Sequence, residues 1–179
     1  MHRSVRSALL IPLTATALLT GCVSTPDQAD EVAPPFVFRS LNLNQRRDDG
    51  SRDWDLISPE ARYDLASRTV QAQSPSGLIY RDDKPYLRIS ARQATVVNDG
   101  DRIVLEGDVK LQQITDQRLL IEGERLVWTP NDSHMVVDRK PKALDSRSQL
   151  SAERFVLLQD RNQLRLDGPT RLLLSLIHI

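Results

Sequence analysis

From Phe36 onward the chain alternates apolar and polar residues in short runs broken by turn-forming residues, and no stretch sustains the spacing of an amphipathic helix. The clearest run is Ile103-Val104-Leu105-Glu106-Gly107-Asp108-Val109-Lys110-Leu111, where 103, 105, 109 and 111 are apolar and Glu106, Asp108 and Lys110 are charged. It predicts a strand with one wet face. The preceding Asn98-Asp99-Gly100-Asp101 tolerates positive φ, so a hairpin is expected between Ala94–Val97 and Ile103. Runs at Leu119–Trp128, Met135–Val137, Leu150–Leu158 and Gln163–Leu172 predict further strands, with Pro130-Asn131-Asp132-Ser133 among the turns between them. One rival remains. Ser58-Pro59-Glu60-Ala61 could open a helix, with serine as N-cap and proline at the first helical position.

An internal repeat argues against that helix. Leu56-Ile57-Ser58-Pro59-Glu60-Ala61-Arg62-Tyr63, Ile89-Ser90-Ala91-Arg92-Gln93-Ala94-Thr95-Val96, Ile121-Glu122-Gly123-Glu124-Arg125-Leu126-Val127-Trp128 and Leu150-Ser151-Ala152-Glu153-Arg154-Phe155-Val156-Leu157 share one pattern: apolar, any, small, polar, polar, apolar, any, apolar. The copies begin at 56, 89, 121 and 150, so their spacings are 33, 32 and 29. A second element recurs between them, as Leu105 to Leu111 and Leu166 to Leu172. Similarity at a fixed period indicates stacked supersecondary units. The apolar positions also change parity between the small residue and the next apolar one, as at Ile89 and Ala91, then Ala94 and Val96. An unbroken strand cannot present both sets on one face, whereas a strand bulged or bent at a small residue can. The expected fold is therefore all-β: a curved, open β-jelly roll built from repeated antiparallel strands.

Composition narrows the function. Lysine and arginine number 24, as do aspartate and glutamate, and the two signs are interspersed, which removes the one-sided basic field a nucleic-acid binder needs. A single cysteine excludes an internal disulfide and a cysteine-rich zinc site. That cysteine follows a positive start (His2, Arg3, Arg6), an apolar run from Ala8 to Leu19, and Thr20-Gly21. The segment reads as a secretory signal, too short to span a membrane as a stable helix. Its end, Leu19-Thr20-Gly21-Cys22, resembles the lipobox of bacterial lipoproteins, which implies that Cys22 is lipidated and becomes the mature N-terminus. At about 0.8 kcal/mol per buried methylene one acyl chain anchors marginally, and two or three on one residue anchor stably. Loss of 1–21 removes Arg3 and Arg6 and leaves 22 basic against 24 acidic side chains. Residues 22–35, with Pro34-Pro35, read as the lipidated N-terminus and a tether. The jelly-roll domain is expected over 36–172, and 173–179, which lack alternation and charge, as a non-native tail.

The lipobox, the tether, Trp54-Asp55-Leu56 at the head of the repeats, the strands around Ala91-Arg92-Gln93-Ala94 and Ala152-Glu153-Arg154-Phe155, and the Leu105 to Val109 element together resemble the periplasmic lipopolysaccharide-transport proteins of the LptC type, whose repeats are related to those of LptA and OstA-like domains. The resemblance implies a jelly roll whose apolar interior receives acyl chains of lipopolysaccharide. It implies partners as well: the β-domains of an inner-membrane export permease and of an LptA-like bridge, joined by edge-strand pairing. The expected lining of the trough is Leu87, Ile89, Ile103, Leu105, Val109, Leu111, Leu119, Ile121, Leu126, Trp128, Phe155 and Leu157. The bland reading of the same residues is a closed sandwich core. Family members are commonly held at the inner membrane by a transmembrane helix, whereas this chain carries a lipobox followed by Val23, a pattern that under enterobacterial sorting points to the outer membrane. A periplasmic, membrane-anchored lipoprotein is expected on either membrane, with the family favouring the inner one.

Catalytic readings are weak. Beyond the signal segment the chain has only His134 and His178, and it lacks a Gly-x-Ser-x-Gly elbow or a phosphate-cradling glycine loop. No catalytic residue, metal or cofactor is expected. Arg88, Arg92, Arg102, Lys110, Arg125 and Arg154 flank the strands, where they could meet lipid phosphates or simply keep a sheet face soluble, the second being the commoner use. The functional alternatives are a lipopolysaccharide carrier and a lipid-anchored assembly protein that scaffolds an envelope complex without binding lipid.

Overall fold

The alternation is realised as fourteen strands in the residues that a computed structural model of the chain describes, 34–114, 119–145 and 147–174. In chain order they are β1 (Phe36–Arg46), β2 (Arg52–Asp64), β3 (Thr69–Gln73), β4 (Ser76–Arg81), β5 (Lys84–Ser90), β6 (Gln93–Val97), β7 (Arg102–Gln113), β8 (Leu120–Thr129), β9 (His134–Asp138), β10 (Lys142–Asp145), β11 (Ser148–Ser151), β12 (Arg154–Leu158), β13 (Gln163–Asp167) and β14 (Arg171–Leu174). The signal segment, Cys22, the tether up to residue 33, and 175–179 of the tail lie outside the described residues. The helix reading at Ser58 is overturned: Ser58-Pro59 lies inside β2. The hairpin expected at Asn98–Asp101 is present, with β6 paired to β7 from Gln93↔Glu106 to Val97↔Arg102.

Every pairing is antiparallel, and three long strands belong to two layers at once. β2 pairs with β4 through Trp54–Ile57 and with β3 through Glu60–Asp64. β7 pairs with β6 over Arg102–Glu106 and with β5 over Lys110–Gln113. β8 pairs with β10 over Leu120–Glu122 and with β9 over Arg125–Thr129. The remaining strands sort accordingly: β4, β5, β10, β11 and β14 extend the first layer, and β3, β6, β9, β12 and β13 the second. At the ends, β1 pairs only with β2, β13 only with β12 and β14 only with β11, among the described residues. The result is one sheet folded along its middle into a jelly roll with both ends unpaired.

The fold line is a row of corners, and it explains the repeat. Ser58, Ala91, Gly123 and Ala152, the small residues of the four copies, occupy every second corner. Ser74-Pro75, Gly107-Asp108, Arg139-Lys140-Pro141 and Gly168-Pro169 occupy those between. At Gly107-Asp108 the ladder steps from Glu106↔Arg125 to Val109↔Gly123, so β7 carries one residue more than β8. Gly107 at φ 76° and Asp108 at φ 48° form this bulge, which keeps Leu105 and Val109, four residues apart, facing inward while the inward positions of the facing β8 change parity from Ile121 to Leu126. Backbone bonds continue around the line: Arg92 N–H donates to the Gly107 carbonyl at 2.8 Å, Ser74 N–H to Arg92 at 2.7 Å, and Glu124 N–H to Arg139 at 3.0 Å. Ser58, the one buried polar side chain among the described residues, places its hydroxyl 2.6 Å from the carbonyls of Gln73 and Glu60, with one proton to share between them. The runs at Leu150–Leu158 and Gln163–Leu172, expected as single strands, are each split at a corner, into β11 and β12 and into β13 and β14. Their halves pair in different layers because the small residue marks a turn between layers and not the middle of one strand.

One glycine reports how closely the strands approach. A Cβ on Gly77 of β4 would lie 2.5 Å from the Asp55 carbonyl oxygen, 3.1 Å from Ile89 Cγ1 and 3.2 Å from Leu56 Cδ1. The nearest neighbour is backbone, which cannot swing away as a flexible side chain would. Gly77→Ala is expected to destabilise the fold by about 1–3 kcal/mol, read as a lower urea midpoint with unchanged slope.

Candidate functional site

The two layers enclose one apolar interior. Of the residues expected to line it, Leu87 and Ile89 come from β5, Ile103, Leu105, Val109 and Leu111 from β7, Ile121, Leu126 and Trp128 from β8, and Phe155 and Leu157 from β12. All eleven are buried in a single cluster. Leu119, just before β8, is half-buried and packs against it. The sequence reading left out Trp54, Leu56, Ile79, Val96, Met135 and Val137, which belong to the same cluster. Their signal was available: Leu56 heads the first repeat, and Val96 and Val137 alternate with half-buried neighbours. Each fully buried aliphatic or aromatic side chain contributes about 1.5–3 kcal/mol relative to an exposed one, and this burial is what holds the layers face to face.

The interior is packed where the layers meet at the corner line and looser at the opposite side, where the turns at the layer tips approach each other. Trp54 of the first layer meets Trp128 of the second edge-to-face at 5.8 Å. Both indole N–H groups are buried without a hydrogen-bond partner among the described residues, and Trp128 borders a polar cleft of about 430 Å³ with Arg46, Arg47, Asp53, Tyr80 and Arg81. The guanidinium of Arg47 is committed there, donating to Asp53 Oδ1 and the Tyr80 carbonyl, each at 2.9 Å. A second, apolar cavity of about 130 Å³ lies between the layers, lined by Leu87, Leu111, Leu119 and Ile121 on one side and Leu157 and Leu164 on the other, with Tyr86 and Asn162 at its rim.

The charged residues fall outside this interior. Arg92 pairs with Asp108 at 3.2 Å, Arg125 with Asp138 at 3.0 Å and Arg154 with Asp167 at 3.4 Å. The Arg92 and Arg154 pairs are exposed and contribute little to stability, the Arg125–Asp138 pair is half-buried, and together they commit three of the six flanking cations to neighbouring carboxylates. Their arrangement is that of a solvated face. Among the described residues no three histidine, cysteine, aspartate or glutamate side chains come together as metal ligands would.

Among the described residues Tyr80 is the one buried side chain whose ionisation is displaced. Its hydroxyl donates to Asp55 Oδ2 at 2.5 Å, and the Arg52 guanidinium lies 4.2 Å from its ring centre. The hydrogen bond to the Asp55 carboxylate, followed by burial, raises the phenol above its ordinary value. The unfolded chain releases this proton near the ordinary tyrosine value of about 10, while the folded chain retains it. Tyr80 therefore contributes stability that is complete below that pH and is lost as pH rises through the folded value. Tyr80→Phe is expected to remove this part of the alkaline loss, so the stability gap between the two proteins should hold below a pH of about 10 and shrink above it in paired urea titrations.

The family model for lipopolysaccharide-assembly, LptC-related proteins matches residues 8–173. No curated protein matches the chain. Among solved structures it is similar to LptH of Pseudomonas aeruginosa, described as the LptA-homologous periplasmic component of the conserved lipopolysaccharide transport device, with a TM-score of 0.54 at 8% identity over 68% of this chain and 94% of that one. At that identity the likeness shows a common fold, and it coincides with the double-layered, corner-repeated sheet described above. The match of the family model along nearly the whole sequence goes further, and the chain belongs to the LptC-related family of lipopolysaccharide-assembly proteins.

Proposed function

We propose that this protein carries lipopolysaccharide across the periplasm, holding its acyl chains between the two layers and passing them to like-folded partners that pair with its free strand edges. The observation that carries the reading is the single apolar interior running between two layers whose end strands are, among the described residues, unpaired on their outer sides. Sheltering an acyl chain needs only apolar contact, worth on the order of 25 cal/mol per Å² removed from water, and no reaction chemistry. Edge pairing uses backbone hydrogen bonds, which a free strand offers to any strand of matching length. Lipid on Cys22 would keep the domain at a membrane, with the tether setting its reach.

Photoreactive residues at Phe155 and Leu157 test the reading in intact cells, with Arg88 on the outer face of β5 as control. Adducts to lipopolysaccharide are expected from both interior positions and not from Arg88. The packing of the interior, in which Ile103, Leu105, Leu126, Met135 and Phe155 are completely buried, favours the scaffold as the competing reading. Absence of adducts from every interior position would leave the scaffold.

A further inference from the structure

The corner line and the opposite seam are held together by different means. At the corners the layers are continuous backbone, with main-chain bonds such as Arg92 N–H to Gly107. At the seam, side chains reach across. Arg81, at the end of β4, donates to the Gln159 carbonyl in the β12–β13 turn at 2.5 Å. Tyr86 of β5 has its hydroxyl 2.5 Å from Asn162 Oδ1 in the same turn. The Arg81 guanidinium also stacks on the Tyr86 ring at 3.7 Å, so the two bridging side chains brace each other.

Three cavities meet at this point. The polar cleft of about 430 Å³, a surface cleft of about 310 Å³ beside Lys84 and Pro85, and the apolar cavity of about 130 Å³ all have Tyr86 in their walls. Tyr86 and Leu157, at 8% and 7% exposure, are also the least covered members of the core. A methylene is near the size of a water, whose share of liquid volume is about 30 Å³, so the apolar cavity admits only about four such groups. That is the tip of a fatty-acyl chain and not its length. An acyl chain can occupy the interior only if the layers part, and the seam is the line where parting breaks the least backbone pairing.

We propose that Arg81, Tyr86 and Asn162 form a latch across the seam, and that its release opens the interior sideways to fatty-acyl chains. The inference rests on the carrier reading, since a scaffold would need no such opening. In the latched state the chain entry past Tyr86 is shut. In the released state Leu87, Leu111, Ile121, Leu157 and Leu164 line a groove continuous with the two clefts. Loading of lipid is then limited by the population of the released state.

The test uses the full chain with Tyr86→Cys and Asn162→Cys, a photoreactive residue at Leu105 deep in the interior, and purified lipopolysaccharide. A short reducible bis-maleimide replaces the latch by a covalent tether, and single-cysteine versions control for reaction with Cys22, the only native cysteine. Tethering is expected to lower the yield of lipid adducts about tenfold or more, because only the open fraction loads, and reduction should restore it in the same sample. In a variant with no introduced cysteine, Tyr86→Phe, loss of one hydrogen bond is expected to speed loading about fivefold. Equal adducts with and without the tether, or an unchanged rate in Tyr86→Phe, would overturn the latch while leaving the carrier reading intact. No adducts in either state would overturn the carrier reading itself.

Discussion

Replacing Phe155 by alanine is expected to cost about 3–5 kcal/mol, the largest stability loss of any substitution considered for this chain. Phe155 is completely buried in β12, opposite Val137 of β9 on one side and Leu166 of β13 on the other. Truncation removes both its transfer energy and its neighbours' contacts, and two hydrogen-bonded strands restrain the backbone from closing the void. Against a typical total of about 5–15 kcal/mol, such a loss brings the domain near the point of unfolding at growth temperature. Urea titration of the full chain measures it directly. Ile103→Val, a methyl deletion in the same interior, should cost only about 0.5–1.5 kcal/mol. The void also ties stability to function. An apolar void of this kind stays dry and accepts apolar ligands, so a carrier with Phe155→Ala should regain part of its midpoint when an acyl amphiphile is added, by mass action on the folded state. The native protein, which offers only the cavity of about 130 Å³ beside Tyr86, should gain less. A uniform response in both proteins would mean that the amphiphile acts on the chain in general and not in the interior.

The corner line was legible because it is written in composition. Small residues recur at Ser58, Ala91, Gly123 and Ala152, and each sits where apolar parity breaks. A bent strand is the one local structure that reconciles such a break with a common buried face. The same logic identified the inward positions of β7 and β8, whose alternation is long and clean. What escaped was pairing across sequence distance. The sorting of β3 and β4 onto one edge of β2 depends on Ser74-Pro75 turning the chain between layers, and a Ser-Pro step alone does not distinguish that corner from an ordinary loop. The same limit applied to the seam. Tyr86 and Asn162 are far apart in sequence and sit in unremarkable contexts, so only the folded sheet brings their polar ends together. The apolar interior follows from periodicity, whereas the devices that govern access to it are made of long-range contacts that periodicity does not encode.

Substituting Val37 by lysine is expected to leave stability almost unchanged and to weaken the association that the proposed function assigns to the β1 edge. Phe36, Val37 and Phe38 are 56%, 60% and 42% exposed, and because they are consecutive they present apolar groups on both faces of an edge strand that pairs with β2 alone among the described residues. Natural edges are guarded by lysine, proline, bulges or short length; β1 is eleven residues long, with a bend at Ser40, where φ is 68°, and a register shift at its end between Gln45 and Arg46. At the other end Leu172, Leu173 and Leu174 of β14 are equally uncovered. An apolar, extended edge at each end is costly for a solitary domain and suited to one that joins strands from two neighbours. Lysine is one of the residues natural edges use against strand addition, and at position 37 it would stand opposite Arg62, so binding of the partner β-domain should weaken at least about tenfold, equivalent to 1.4 kcal/mol. The fold itself should shift by no more than about 0.5 kcal/mol, as for surface positions generally. Leu172→Lys, at a position 56% exposed in β14, makes the matching test there, and each substitution should spare the partner at the opposite end. Co-purification of the full chain with β-domains of the export machinery, alongside thermal melts, separates the outcomes. Undiminished association of the Val37→Lys protein with both neighbours would remove β1 from the docking scheme, and its exposed apolar residues would then need another explanation.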